Sequence, residues 1–411
     1  MGTKTMRGRL LVLAGILTMA FSMRLAVTST PPLFGHMRPE LVIDTATGSI
    51  LGLLPTVAFA LFAIVVPYLA RRATIELLAV ASLILTLGGQ FLRAMVSDVP
   101  TFMVLTLVAL AGMGMGNVLL PPLVKRYFRD RVGLVTAIYV TLIAASTAIP
   151  PLIAVPVAEA AGWRFSIDWW AIFPLAALIP MLLTWLRTRT TTAPGQAGIA
   201  PPSESRVRVN AAKSPAAWGL VLMMGMTSLN SYAMFTWLPT FYVDQGMSPA
   251  AAGGMLALFA FVGMPVSIVV PVLAARMRNQ LPIALFAAAA FAIGYAGMLY
   301  GDVGHAWIWV IIVGFGQATF ALSLVMMNLR TRTHEGSVAL SGFSQGLGYV
   351  VAGLGPLLFA SLHELTGTWT ASFGVLWASL VLLVFGAVLI CRPKMLEDYD
   401  GVVRTAEAPT A

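Results

Sequence analysis

The chain has 411 residues, of which 59% are hydrophobic and only 10% are charged. Soluble proteins carry about 25% charged residues, and the 25 basic and 16 acidic side chains present here cannot cover the surface of soluble domains this long. The composition therefore excludes a soluble fold and predicts that lipid surrounds most of the chain. The single cysteine, Cys391, excludes an internal disulfide and a cysteine-based metal cluster.

Twelve apolar segments follow one another along the chain, each about 20 to 27 residues long, which is the length of a membrane-crossing helix. None shows the short apolar and polar alternation of a barrel strand, so we predict an all-α polytopic membrane protein. The first segment continues past Arg24 and lacks a small-residue cleavage site, which favours a helix over a signal peptide. The segments cover residues 10–34, 47–70, 74–95, 101–124, 132–157, 167–187, 215–241, 249–275, 281–300, 305–328, 336–362 and 369–391.

Residues 188–214 interrupt the series of spans after the sixth. They are rich in Thr, Ala, Pro, Ser and Arg and have no apolar periodicity, which is typical of a polar linker. The linker divides the chain into an N-terminal half of six helices at 1–187 and a C-terminal half of six helices at 215–391. A polar tail follows at 392–411.

Lysine and arginine fall mainly on one side of this topology. When the loops are assigned to alternate sides, 21 of the 25 basic residues share a side with both termini and the linker. Three, namely Arg38, Arg93 and Arg164, lie on the other side, and Arg24 lies within a span. The positive-inside rule then predicts cytoplasmic termini and a cytoplasmic linker. Because the charges are dispersed over short loops, the net charge of +9 does not indicate nucleic-acid binding.

An internal repeat supports the division into halves. Ile64 to Ala70 reads IVVPYLA and Ile268 to Ala274 reads IVVPVLA, so six of seven residues match at an offset of 204. At the same offset, Asp44 pairs with Ser248, and both are suitable helix N-caps. Two related six-helix halves joined by a linker are the architecture of the major facilitator fold, whose halves enclose a site near the membrane midplane.

Four segments carry a more specific pattern, and they lie in both halves. They are Met23 to Phe34 (MRLAVTSTPPLF), Gly112 to Arg131 (GMGMGNVLLPPLVKRYFRDR), Trp218 to Pro239 and Ser341 to Phe359. These segments resemble the cyanate and 2-nitroimidazole transporter family of bacteria, one branch of the major facilitator superfamily. The resemblance implies a transporter that moves a small, anionic or nitrogen-rich solute across the inner membrane by alternating access.

The loop between the second and third spans departs from the wider superfamily pattern. Its Pro-Tyr-Leu-Ala-Arg-Arg run places Arg71 where the superfamily has an acidic residue, and only Arg72 keeps the pattern. We predict that Arg71, Arg72 and Arg276, the last of which follows the repeated run, act as gating or loop residues. The Ile149-Pro150-Pro151 run in the fifth span replaces the glycine-rich motif of drug/proton antiporters and disfavours that function.

Arg24 is the most informative residue, because it lies about fifteen residues into the first span. An arginine at that depth costs about 2.5 to 3.5 kcal/mol. All sixteen acidic residues fall in loops, in the tails or near helix ends, so no partner within a span is evident. We predict that Arg24 binds an anion through its forked guanidinium, with Thr28 one turn later as a second donor. A structural role, with hydrogen bonds to helix-end carbonyls, is the alternative.

Other polar residues within the spans are candidate solute contacts. In the superfamily, spans one, four, seven and ten line the cavity, and spans two, five, eight and eleven flank it. Each candidate has an alternative role in packing or in interhelical hydrogen bonding, and Trp237 is expected to be an interfacial anchor. The candidates are Asn117, Tyr139, Tyr232, Gln317, Gln345 and Tyr349.

These residues favour a secondary or facilitative transporter. The four histidines lie near helix ends, so the usual parts of a proton relay are not evident, and facilitated movement or exchange is preferred. A proton-coupled exporter of drugs or nitroheterocycles and a transporter-like sensor remain alternatives. An enzyme is not expected, since Gly-x-Ser-x-Gly, His-Glu-x-x-His and nucleotide-binding loops are missing from the sequence. We expect no cofactor and no metal, and we expect a monomer whose partners are the bilayer, the solute and, if transport is coupled, protons.

Overall fold

A computed structural model describes residues 3–70, 72–188, 211–332 and 334–399. Within these ranges, all regular secondary structure is helical, which confirms the predicted all-α class. Eleven helices are long and apolar enough to cross a membrane. We number the spans α1 Thr3–Ser22, α2 Thr45–Leu69, α3 Ile75–Arg93, α4 Val99–Tyr127, α5 Val132–Ala161, α6 Ile172–Thr188, α7 Pro215–Asp244, α8 Pro249–Arg276, α9 Leu281–Tyr300, α10 Ala306–Phe315 with Ala318–Leu329, α11 His334–Thr366 and α12 Trp369–Ile390.

The span that α7 forms is less apolar than the other eleven, although it has 30 residues. Hydroxyl and amide side chains lower its hydropathy, and neighbouring helices supply hydrogen bonds to Asn230. The Nδ2 of Asn230 donates to the Met226 carbonyl and to Ser379 Oγ of α12, each at 2.7 Å. The hydroxyl of Tyr295 in α9 donates to Asn230 Oδ1 at 2.8 Å. Asn230 therefore joins three helices from a fully buried position.

Side-chain caps determine where several helices begin. Asp44 Oδ1 accepts the Thr47 N–H at 2.8 Å at the start of α2. At the 204-residue offset, Ser248 Oγ accepts the Ala251 N–H at 3.3 Å at the start of α8. Both residues of the repeated pair are thus N-caps, as their residue types predict.

The cap at Asp44 makes the stability of α2 dependent on pH. Hydrogen bonds from Thr47 hold the pKa of Asp44 below its ordinary value of 3.8. A lowered folded-state pKa stabilises the protein at neutral pH, and this contribution disappears as the pH falls through that lowered value. We expect Asp44→Ala to lower the free energy of unfolding by about 1 kcal/mol at pH 7, and Asp44→Asn to retain the cap without its pH dependence. Unfolding midpoints of both variants at pH 7 and pH 3 test this, and equal midpoints for Asp44→Ala and wild type would contradict it.

The chain forms two compact units. The first contains Met1–Pro202 and Phe235–Phe261, and the second contains Ser203–Met234 and Val262–Ala411. The first unit therefore includes the C-terminal end of α7 and the start of α8 together with α1 to α6. Most of the linker predicted at 188–214 lies outside the described residues, and the division into halves at that linker remains a prediction.

One helix in each unit is interrupted near its middle. In the first unit, α1 ends at Ser22 and a short helix, Leu25–Ser29, follows. The Ser22 hydroxyl donates to the Met19 carbonyl at 2.7 Å and competes with the regular helical pattern there. In the second unit, α10 stops at Phe315 and begins again at Ala318. The predicted site residues Arg24 and Gln317 lie at these two breaks.

Candidate solute-binding site

Arg24 lies at the break in α1, with backbone angles φ −128° and ψ −4°. Its guanidinium carbon is 4.6 Å from the centre of the Phe59 ring in α2. The side chain is half-buried, and its NH1 atom is buried without a hydrogen-bond partner among the described residues. The aromatic ring covers one face of the guanidinium, while donors at its edge remain available to a ligand.

Thr28 is fully buried next to Arg24. Its hydroxyl donates to the Arg24 carbonyl at 3.4 Å, and the same carbonyl accepts the Val27 N–H at 3.0 Å. The Thr28 hydroxyl proton is therefore used within the short helix. Contact between Thr28 and a solute remains a prediction.

Asn117 lies on α4, where glycines bring this helix against α1 and α2. A Cβ atom at Gly114 would lie 3.3 Å from Phe59 Cδ1, and one at Gly116 would have to displace the end of the Met23 side chain. Asn117 is one turn from Gly114 and next to Gly116, and its half-buried amide makes no hydrogen bond to another described side chain. Arg24 and Gly114 thus both face Phe59 within the first unit. A shared solute contact of Arg24 and Asn117 remains a prediction.

Tyr139 of α5 has only 8% of its surface exposed. It belongs to the apolar core of the first unit, in a cluster that includes Met19, Met23 and Leu119. Contact between Tyr139 and a solute remains a prediction.

The other predicted site residues lie in the second unit. Gln345 Nε2 donates to Ser341 Oγ at 2.6 Å, so its amide is oriented by its own helix. The Gln317 amide lies against Gly263 of α8, where a side chain would collide with it. Tyr232 and Tyr349 are half-buried. A single site formed by these residues and Arg24 remains a prediction.

The predicted gating arginines are mostly exposed. Arg71 lies outside the described residues, while Arg72 and Arg276 are exposed. The guanidinium carbon of Arg72 is 5.6 Å from the centre of the Tyr68 ring. A gating role for these arginines remains a prediction.

A buried carboxylate lies at the start of α3, on the same side of the first unit as Arg72. Glu76 is fully buried, and its Oε1 accepts the Tyr127 hydroxyl at 2.7 Å and lies 3.1 Å from Arg126 Nε. From the sequence, Glu76 is one more acid near a helix end. Only the packing of α3 on α4 identifies it as the partner of Arg126.

The same arrangement recurs in the second unit at the offset of 204 residues. Gln280 is the counterpart of Glu76, Arg330 is the counterpart of Arg126, and Arg330 NH2 donates to Gln280 Oε1 at 3.3 Å. Arg330 also donates to the carbonyls of Ile390 at 2.8 Å and Cys391 at 3.0 Å. Extending the repeat beyond the IVVP run aligns Glu76 with Gln280 and Arg126 with Arg330 in the sequence, whereas the contact within each pair is given by the structure.

Trp237 is not the interfacial anchor that its position near a helix end indicates. Its side chain is 4% exposed, and its ring packs edge-on against Phe34 at 6.0 Å between centres. Gly48 of α2 leaves room for the indole, because a Cβ atom there would lie 2.8 Å from Trp237 Cη2. Gly253 of α8 similarly packs against the carbonyl of Pro151. The ends of α7 and α8 are thus closely packed within the first unit.

The fold and these residues define a class of protein. Broken, membrane-length helices that carry half-buried polar side chains are typical of secondary transporters. Among the described residues, no group of acidic, histidine or cysteine side chains could hold a metal ion.

Comparison with known proteins gives the family. The chain belongs to the Major Facilitator Superfamily, whose family model matches residues 16–356. It is 31% identical to the 2-nitroimidazole transporter of Escherichia coli (strain K12) over 385 residues, which cover 92% of this chain and 95% of the relative. It is 24% identical to the cyanate transport protein CynX of the same strain over 394 residues, with 92% and 94% covered. These matches confirm the resemblance inferred from the sequence.

The fold also matches a solved structure. A bacterial homolog of the human lysosomal transporter Spinster, in an inward-facing and occupied conformation, superposes with a TM-score of 0.70. The match covers 97% of this chain and 99% of that chain at 16% identity. Because the chain belongs to the Major Facilitator Superfamily and its relatives are transporters, the protein is a multi-pass membrane transporter of small solutes and not an enzyme.

Proposed function

We propose that this protein moves a small, anionic or nitrogen-rich solute across the bacterial inner membrane by alternating access, with Arg24 as its anion-binding residue. The observation that carries the proposal is the buried NH1 atom of Arg24, which lacks a partner among the described residues. A charged donor at this depth is stabilised when a solute supplies an acceptor.

The stacking of Arg24 on Phe59 narrows the class of solute. The ring restricts the guanidinium plane, so its donors meet a solute along one edge. A forked pair of donors matches a carboxylate, a nitro group or a small anion with terminal oxygen or nitrogen acceptors. The relatives named for 2-nitroimidazole and cyanate support this class, since both compounds carry such acceptors.

Neutral polar residues complete the proposed site. The Asn117 amide both donates and accepts, so it can contact a solute beside Arg24. Gln317, Gln345, Tyr232 and Tyr349 supply further neutral hydrogen bonds. In this proposal Tyr139 lines the apolar side, and Thr28 acts by holding the break in α1.

The remaining features of the proposal follow from charge and packing. The bias of basic residues supports cytoplasmic termini and a cytoplasmic linker. On that orientation, the contact of Trp237 with Phe34 acts as an outer gate. The cytoplasmic side then carries Arg71, Arg72 and Arg276. It also carries the ion pair between Glu76 and Arg126. The protein acts as a monomer.

Exchange is the proposed mode of transport. Closing an empty cavity strips water from an unpaired guanidinium, which is costly, and a bound anion removes that cost. The solute therefore favours the occluded state, and exchange outruns net flux.

Exchange of labelled for unlabelled solute in liposomes tests the function. Purified protein is reconstituted, loaded with labelled cyanate or 2-nitroimidazole, and assayed for efflux with and without external unlabelled solute at several pH values. We expect external solute to accelerate efflux several-fold, and protein-free liposomes are the control. Equal rates with and without external solute would contradict exchange. A strong response to an imposed proton gradient would favour the proton-coupled exporter instead.

A further inference from the structure

Arg93 is a fully buried arginine that the transport site does not use. In the sequence it lies near the end of the span predicted at 74–95 and counts among the basic residues on the side away from the linker; in the structure it is the last residue of α3 and has 0% of its surface exposed. Its Nε, NH1 and NH2 atoms all lack hydrogen-bond partners among the described residues. A buried guanidinium without partners is strongly destabilising, so a compensating group is required.

Two buried acceptors lie beside Arg93 and also lack partners. Gln90 is one turn earlier on α3, and its Nε2 donates to the Ile167 carbonyl at 3.3 Å. This bond places Gln90 next to Asp168, whose charge acts on Arg93. Gln90 Oε1 and Asp168 Oδ1 are both buried without a hydrogen-bond partner in the described part of the chain. Arg93 and Asp168 are nevertheless not in direct contact, because no nitrogen–oxygen distance between them is within 4.0 Å.

Aromatic rings enclose this group. The guanidinium carbon of Arg93 is 5.9 Å from the centre of the Phe102 ring in α4. Trp163 packs edge-on against Phe102 at 6.4 Å between ring centres. Trp170, only 1% exposed, adds a buried Nε1 that has no acceptor among the described residues. The group thus combines donors and acceptors between α3, α4 and the short helices Trp163–Asp168 and Trp169–Ala171, which precede α6.

Further hydrogen bonds connect the chain segments that flank this buried group. Arg164 pairs with Glu40, which also accepts the Trp163 indole N–H at 3.2 Å. Arg164 NH2 donates to the Val96 carbonyl at 3.2 Å. These contacts join the chain segments on both sides of the buried group.

The mixture of unpartnered donors and acceptors identifies the ligand. An anion would accept from Arg93 and Trp170, but it would face the oxygens of Asp168 and Gln90 and be repelled. Water both donates and accepts, and it commonly satisfies such groups in protein interiors. We propose that α3, α4 and the short helices Trp163–Asp168 and Trp169–Ala171 surround an internal hydration site, in which water bridges Arg93 to Asp168 and Gln90. This bridge joins the end of α3 to the short helix before α6, and it is independent of the solute site.

Variants test whether the two charges are coupled. We expect Arg93→Met and Asp168→Asn each to lower the unfolding midpoint in detergent by about 5 °C or more, because each leaves the other charge unpaired. The double variant should recover part of that loss. Asp130→Asn, which removes the exposed pair with Arg9, is the control and should change the midpoint little. Additive losses in the double variant would overturn the coupling.

A high-resolution experimental structure of the wild-type protein tests the ligand directly, even if a variant does not fold. We expect water density within hydrogen-bond distance of Arg93, Asp168 and Gln90. An anomalous peak at Arg93 in crystals grown with bromide would overturn the proposal in favour of an anion site. A direct contact between Arg93 and Asp168 with no intervening density would also overturn it.

Discussion

Replacement of Arg24 by lysine is expected to weaken solute binding about 10- to 100-fold without impairing folding. Lysine retains the positive charge but loses the forked donors and the flat surface that stacks on Phe59. Loss of charge-assisted hydrogen bonds of this kind is worth about 1.5 to 3 kcal/mol, which gives the expected range. Binding of cyanate and 2-nitroimidazole to purified protein, together with counterflow rates, measures the effect.

A second arginine provides the matched control for this experiment. Arg9 is exposed and lies over the Phe128 ring, so Arg9→Lys makes the same chemical change away from the proposed site. We expect it to leave solute affinity unchanged. Phe59→Leu should lower affinity less than Arg24→Lys, because it removes the stacking and keeps the donors. Wild-type affinity in a stable Arg24→Ala protein would refute the assignment of Arg24.

Among single substitutions on the predicted cytoplasmic side of the first unit, removal of the Glu76 carboxylate should cause the largest loss of stability. We expect Glu76→Leu to lower the free energy of unfolding by about 3 to 5 kcal/mol, since it leaves Arg126 without its buried anionic partner. Glu76→Gln should cost less, because an amide oxygen still accepts from Tyr127 and Arg126. Thermal unfolding in detergent measures both changes.

The repeat supplies the control for Glu76 within the same chain. Gln280→Leu removes the counterpart acceptor, but Arg330 keeps its bonds to the carbonyls of Ile390 and Cys391. We therefore expect a loss of only about 1 to 2 kcal/mol from Gln280→Leu. Equal losses from Glu76→Leu and Gln280→Leu would contradict the prediction. They would show that the charge of the Glu76–Arg126 pair adds nothing to the free energy of unfolding.

Local properties of the sequence determined the class of the protein and the positions of its spans. A bilayer demands about twenty consecutive apolar residues in a helix, and that demand can be read from any one segment alone. The span predicted at 281–300 is the helix Leu281–Tyr300, and the predicted caps Asp44 and Ser248 both begin helices. The sequence alone likewise places Arg24 within a span, where an arginine carries a free-energy cost.

Only the tertiary structure decided which polar and aromatic residues are buried and what they contact. The sequence places both Arg93 and Trp237 near span ends, which indicates a basic residue at one membrane side for Arg93 and an interfacial anchor for Trp237. Neighbouring helices enclose both residues, and neither neighbour can be inferred from the local sequence. Glu76 and Arg126 are 50 residues apart in the chain, and they become partners only when α3 packs on α4. Composition determines that a segment enters the membrane, whereas burial depends on the helices that surround it, and those contacts are set by long-range packing.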